Sequence, residues 1–240
     1  MQYTINTLLL TTWTKIDLYL GCGMLYFLKG PSGLNKATED NAMKIDWHFP
    51  PARTGFFGVI DKLIGPGATK AEKKLQLYIP FMAGFAVVAH AYFNDLEWGW
   101  GQYLIAGLIT VDIVGGIITN ATSSAKRWFH REGQGFKQHM GFISIHFVQL
   151  TMLSWAFLDF DVFWIASVGG YMMLASAVIL LTPLYLQRPI ALIMYALAIV
   201  LITYQFTPLP DLVWFLPLFY IKLLLSHVLR EEPYRPDDGR

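Results

Sequence analysis

Three titratable side chains interrupt long apolar runs of the chain: Asp112 within 100–120, His146 within 141–160 and Lys222 within 209–229. An ionisable group inside such a run is expensive, and it is retained for a partner or for chemistry. At ~1.5 Å of helical rise per residue, Asp112 lies about 12 Å from the nearer end of its run, His146 about 8 Å and Lys222 about 10 Å. Three helices thereby bring a carboxylate, an imidazole and an ammonium to one layer. A carboxylate and an imidazole can pass a proton, and a lysine can hold an anionic group. The expectation is a catalytic set of Asp112, His146 and Lys222, with Asp112 and His146 in direct or one-water reach. The competing expectation is a buried ion pair of Asp112 with Lys222 or His146 that only fixes helix packing.

Asp112, Gly116 and Asn120 recur at four-residue spacing and share one helix face. Gly115 and Gly116 admit close approach of another helix, as do Ala166 and Gly170. The stretch Lys126-Arg127-Trp128-Phe129-His130-Arg131 interleaves cations with aromatics. That mixture suits an anionic lipid headgroup, so Lys126, Arg127, Trp128, Arg131 and Asn120 are read as a headgroup or substrate-binding set. The alternative is ordinary basic flanking of a span. His130, His139, His146 and His227 gather toward the same side, but His139 and His146 are seven residues apart. Two ligands of one zinc on a helix normally sit three or four apart, and no metal ligand set is assigned. Zinc-protease, phosphate-loop and nucleophile-elbow motifs are missing, and the residues name no cofactor.

The runs that carry these residues dictate the fold class. Apolar residues make up 55% and charged residues 15% of the 240, against roughly 45–50% and about 25% in soluble domains. About 20 apolar residues cross a bilayer as a helix. Six runs approach that length: 77–93, 100–120, 141–160, 162–182, 189–206 and 209–229. A seventh, 8–28, contains Lys15 and Asp17. The fold is therefore expected to be an all-α polytopic bundle forming a single transmembrane domain, with seven spans preferred and six possible. Short acidic or proline-bearing turns join the runs, and Trp98, Trp100, Trp164, Trp214 and Tyr185 mark their ends as an aromatic belt would.

Lysines and arginines alternate strictly between connections. Eight lie between Lys29 and Lys74, and Lys126, Arg127, Arg131 and Lys137 occupy the next basic connection. Arg188 and the C-terminal arginines follow, while the intervening turns have none. Read by the positive-inside rule, the basic connections and the C-terminus are cytoplasmic and the N-terminus is outside, in a cytoplasmic (inner) membrane. No basic n-region precedes the first run, so no removable signal is expected. The lone Cys22 reads as a small buried hydrophobe.

Residues 31–76 form the one sizeable extramembrane connection. Phe56, Phe57, Val59, Ile60, Leu63 and Ile64 around Asp61 and Lys62 predict an amphipathic interfacial helix there, serving as a lid or as a passive connector. The partners expected are the bilayer and anionic headgroups, with no role for nucleic acid. The leading functional expectation is a membrane-embedded enzyme acting on a lipid or other apolar substrate at the cytoplasmic leaflet. An accessory membrane subunit and a small-solute or proton-coupled transporter are the alternatives. Missing inverted repeats disfavour the transporter.

Overall fold

The structure, a computed structural model, describes residues Lys44–Arg235. The expected first span at 8–28, Cys22 and the end of the tail from 236 onward lie outside the described residues. Apart from one two-residue antiparallel bridge, β1 (Lys44–Ile45) with β2 (Tyr234–Arg235), the regular structure among the described residues is helical. In order come α1 (Gly55–Ile64), α2 (Lys70–Phe93), α3 (Trp100–Ala121), α4 (Ser123–Phe129), α5 (Phe136–Ser144) and α6 (Phe147–Phe157). Then follow α7 (Val162–Leu181), α8 (Leu184–Tyr204) and α9 (Phe215–Tyr220), which runs straight into a π-helix (Ile221–His227).

Among the described residues, five helical stretches are long and apolar enough to cross a membrane: α2, α3, the α5–α6 pair, α7 and α8. They make the chain a helical bundle consistent with a multi-pass membrane protein. Capping explains where several of them begin. Thr69 and Glu72 form a reciprocal capping box, so α2 starts two turns before the apolar run at 77 and lifts Lys70, Lys73 and Lys74 clear of it. Asp161 accepts from the Trp164 N–H at 2.9 Å and starts α7. Pro183 stands at the N-cap of α8, which therefore begins at Leu184 rather than at 189.

The run 209–229 behaves differently from its expectation. Only Phe215–His227 is helical, six α and seven π residues, and its ~20 Å falls short of a ~30 Å hydrocarbon core. Leu209 and Leu212 form turns ahead of it. Phe215, Phe219, Tyr220, Leu223 and Leu224 are all fully buried, so this short helix is a strut on which α3, α7 and α8 pack. Polar tips on the strut and its neighbours find acceptors: Tyr220 donates to the Val168 carbonyl at 3.0 Å, and Trp164 Nε1 to the Thr207 carbonyl at 2.9 Å.

At the end of the bundle that carries α1 and α4, the long connection is pinned rather than loose. Arg127, only 1% exposed, donates to the carbonyls of His48, Pro66 and Gly67 at 2.9, 3.4 and 3.3 Å. Gly65 turns with positive φ, and a Cβ there would sit 2.3 Å from the Ser124 backbone. Ser124 Oγ donates to the Ile64 carbonyl at 3.0 Å, and Glu72 accepts from the Ser124 N–H at 2.9 Å. The starts of α2 and α4 and the end of α1 are thus tied at one knot. Just ahead of α1, Arg53 grips Asp61 of that helix through two guanidinium bonds of 2.8 and 2.7 Å and holds its carboxyl down at about 2. Phe56, Phe57, Val59 and Leu63 stay exposed on that helix, the apolar face an interfacial helix presents.

Candidate functional site

The site is built on two breaks in regular α-helix. The first separates α5 from α6 at Ile145–His146, where the His146 N–H bonds the Ile143 carbonyl at 3.0 Å instead of reaching Phe142. That shift orphans the Phe142 carbonyl, and the His146 side chain answers it. Its Nδ1 donates to the carbonyls of Phe142 and Ile143 at 3.1 and 3.2 Å. With Nδ1 carrying the proton, Nε2 holds the free lone pair of the neutral ring.

The second break is the π-helix Ile221–His227. Such helices are rare and recur at functional sites. Here one carries both Lys222 and His227. The Lys222 stem lies across α3 at Gly116, where a Cβ would sit 2.3 Å from Lys222 Cε and 2.8 Å from Cδ. Only glycine leaves that path open, so the close approach that Gly116 admits is made by the Lys222 stem of the π-helix. The lysine ends 2.5 Å from Asp112 Oδ2. The same carboxylate oxygen accepts from Gln149 Nε2 at 2.6 Å.

This pair is asymmetric in its burial. The Lys222 side chain is 3% exposed and that of Asp112 is 44% exposed. Asp112 faces a cavity of about 420 Å³ lined also by His146, Asn120, Gln76 and Gln149. Phe81 and Ile145, both exposed, stand at its rim on α2 and at the α5–α6 break, so the opening is on the flank of the bundle. Leu63 and Ile64 of α1 form its end wall. The expected layer of Asp112, His146 and Lys222 therefore meets around one cavity. The hydrogen-bond partners of Asp112 are Lys222 and Gln149, while His146 bonds within its own helix.

Asn120, at the cavity floor, is held by a histidine chain. His227 Nδ1 lies 3.2 Å from Asn120 Oδ1, and His139 Nδ1 lies 3.2 Å from His227 Nε2. With a neutral His227 each link has one donor: His139 donates to His227, and His227 donates to Asn120. Phe142 stacks on His227 with ring centroids 4.1 Å apart. Among the described residues no three His, Cys, Asp or Glu side chains are grouped to hold a metal ion.

The basic residues read as a headgroup set are spread over different tasks. Lys126 donates to the carbonyls of Ser226 and Leu229 at 2.7 and 2.6 Å, with Glu231 at 3.3 Å. His130 Nε2 takes the His227 carbonyl at 3.0 Å. The Ser226 and His227 carbonyls are orphans at the end of the π-helix, where a cation also complements the dipole, and that of Leu229 lies two residues beyond it. Burial draws the Lys126 ammonium below its ordinary range, with Glu231 opposing, and pushes the His130 imidazole down to about 3. Arg127 is spent on the connection. Only Arg131 and Trp128 remain as a partly exposed cation and aromatic, stacked with the guanidinium 3.8 Å from the ring centroid. A second hollow of about 480 Å³ beside Lys126 mixes Arg188 and Arg230 with Glu231 and Glu232, and so has no single charge sign to offer.

Gln76 and Gln149 were not singled out in the sequence, because an uncharged amide in an apolar run carries little signal. Gln149 does follow His146 by three residues, on the same helix face. No protein family, curated protein or solved structure matches this chain.

Proposed function

We propose that this chain is a membrane-embedded enzyme that admits an amphiphile through the flank of the bundle, from the leaflet at its basic end, and acts on it by proton transfer. The positive-inside pattern makes that leaflet the cytoplasmic one. The observation that carries the proposal is the exposure of Asp112. A pair that only locks two helices has no use for a vacant space beside one partner, whereas a group that exchanges a proton with a guest must be reachable by it. Here the lysine is sealed and the carboxylate is open onto a cavity with apolar walls and a few converging polar groups, the usual character of a small-molecule site.

The roles follow from the atoms. His146 Nε2 is the proton acceptor, because its other nitrogen is committed to backbone. Asp112 is the second proton-carrying group, held in place by Gln149. Lys222 pairs with the carboxylate and faces negative charge that develops beside it. The rival reading, an accessory subunit whose Asp112–Lys222 pair only locks α3 to the strut, draws on the burial of Lys222.

The test uses protein purified in mild detergent from its own membranes, with bound species identified by mass spectrometry. Ile145→Trp, at the exposed rim, should strip a wild-type-bound amphiphile while leaving the melting temperature unchanged. Asp112→Asn should retain a different species from the wild type, the unconverted substrate. Identical bound species in all three proteins would leave the accessory reading in place.

A further inference from the structure

The cavity's unused hydrogen-bonding groups specify more than an apolar guest. Gln76 on α2 is 8% exposed, lines the cavity, and leaves both its Nε2 and its Oε1 without a hydrogen-bond partner among the described residues. Gln149 spends Nε2 on Asp112, and its buried Oε1 likewise has no partner. A buried amide left unpaired is costly, so its partner is supplied from outside the described residues. Asn120 adds a directed donor: its Oδ1 is taken by His227, which leaves its amide hydrogens as the group it can offer the cavity. The free set is thus two acceptors, on Gln76 and Gln149, and two donors, on Gln76 and Asn120.

Charge narrows the guest further. Asp112 and Lys222 are the only Asp, Glu, Lys or Arg among the cavity-lining residues, and they cancel. Lys126 and Arg127, which an anionic head would call upon, direct the ammonium and both terminal guanidinium nitrogens to backbone carbonyls elsewhere. A phosphate here would bring one or two negative charges beside a carboxylate with no unspent cation to meet them, in surroundings where unpaired charge is most expensive.

Building on the amphiphile reading above, we infer that the headgroup taken by this cavity is uncharged and both donates and accepts hydrogen bonds, as a hydroxyl next to an ester or amide carbonyl does. Gln76 is the residue that selects it. A hydroxyl donates to the amide oxygen of Gln76 or Gln149, and a carbonyl accepts from the amide hydrogens of Gln76 or Asn120.

The experiment holds the apolar body constant and varies only the head. Dioctanoylglycerol, dioctanoyl phosphatidate and dioctanoyl phosphocholine are added to the purified full chain below their aggregation limits, and melting is followed. Dioctanoylglycerol should raise the wild-type melting temperature by several degrees, and neither charged head should do so. Gln76→Met removes the unpaired amide at similar volume. It should melt about 2–4 °C above the wild type without ligand and lose the dioctanoylglycerol shift. A larger shift with phosphatidate than with dioctanoylglycerol would overturn the headgroup inference and leave the amphiphile reading standing. An unshifted melt with all three, together with no bound amphiphile in the wild type, would overturn both. A Gln76→Met protein that still responds fully to dioctanoylglycerol would remove Gln76 from the selecting role.

Discussion

At the residue scale, the site depends on one missing methyl group. Lys222 reaches Asp112 only because Gly116 has no side chain in its path. Gly116→Ala should therefore displace the lysine and cost about 1–3 kcal/mol through overpacking. In a Lys222→Ala background the same substitution should cost almost nothing, so a double-mutant cycle on chemical or thermal melting reads a coupling of similar size. Equal costs in both backgrounds would mean that the glycine serves helix packing alone. A partner for Asp112 was legible in the sequence, since charges in apolar runs at similar depth have few other ways to be tolerated; the choice of Lys222 over the expected His146 was not. Nor was the fate of Lys126 and Arg127. Their residue types announce positive charge, but their partners are backbone carbonyls 60 to 103 positions away in the chain, which no local pattern encodes.

At the element scale, two of the site-bearing helices depart from regular α geometry, and each departure is answered by a side chain. His146 covers the carbonyl freed between α5 and α6, and Lys126 with His130 covers those at the end of the π-helix. The apolar periodicity of 141–160 and 209–229 predicted helix and could not predict the breaks, because a one-residue shift in hydrogen bonding leaves the hydropathy pattern untouched. The π-helix also explains why 209–229 falls short as a span: its early residues are consumed in turns. The His130 cap makes this element sensitive to acid. Its imidazole titrates at about 3 in the folded chain against roughly 6.5 when unfolded. Stability from this group is complete above about pH 6.5, and it declines as pH falls toward 3, because the unfolded chain takes up a proton the native chain refuses. One such group gives a slope of at most about 1.4 kcal/mol per pH unit. Melting between pH 7 and pH 5 should fall in the wild type and fall less in His130→Gln, whose amide can still donate to the His227 carbonyl. Parallel curves would exclude His130 as the source.

At the scale of the whole molecule, among the described residues, α3, α7 and α8 pack on a short buried strut, α2 packs on α3, and the cavity lies between α2 and the α5–α6 break. The bundle class and most span boundaries were readable from run length and from prolines and acidic turns. The cavity was not, since it depends on which helices leave a gap, and the polar groups that face it are largely uncharged. Its location separates the functional classes. A flank opening serves a guest from the lipid, a continuous polar route serves a solute crossing both faces, and a sealed pair serves packing. Thiol accessibility in intact membranes distinguishes them directly. With Cys22 replaced by serine, Val111→Cys places a single thiol on the cavity wall. A membrane-partitioning maleimide should label it rapidly, Ile145→Trp should slow that labelling at least tenfold, and a charged impermeant thiol reagent should fail from either side. Rapid labelling by the charged reagent from both faces, or no labelling by either reagent before denaturation, would contradict lateral entry of an amphiphile.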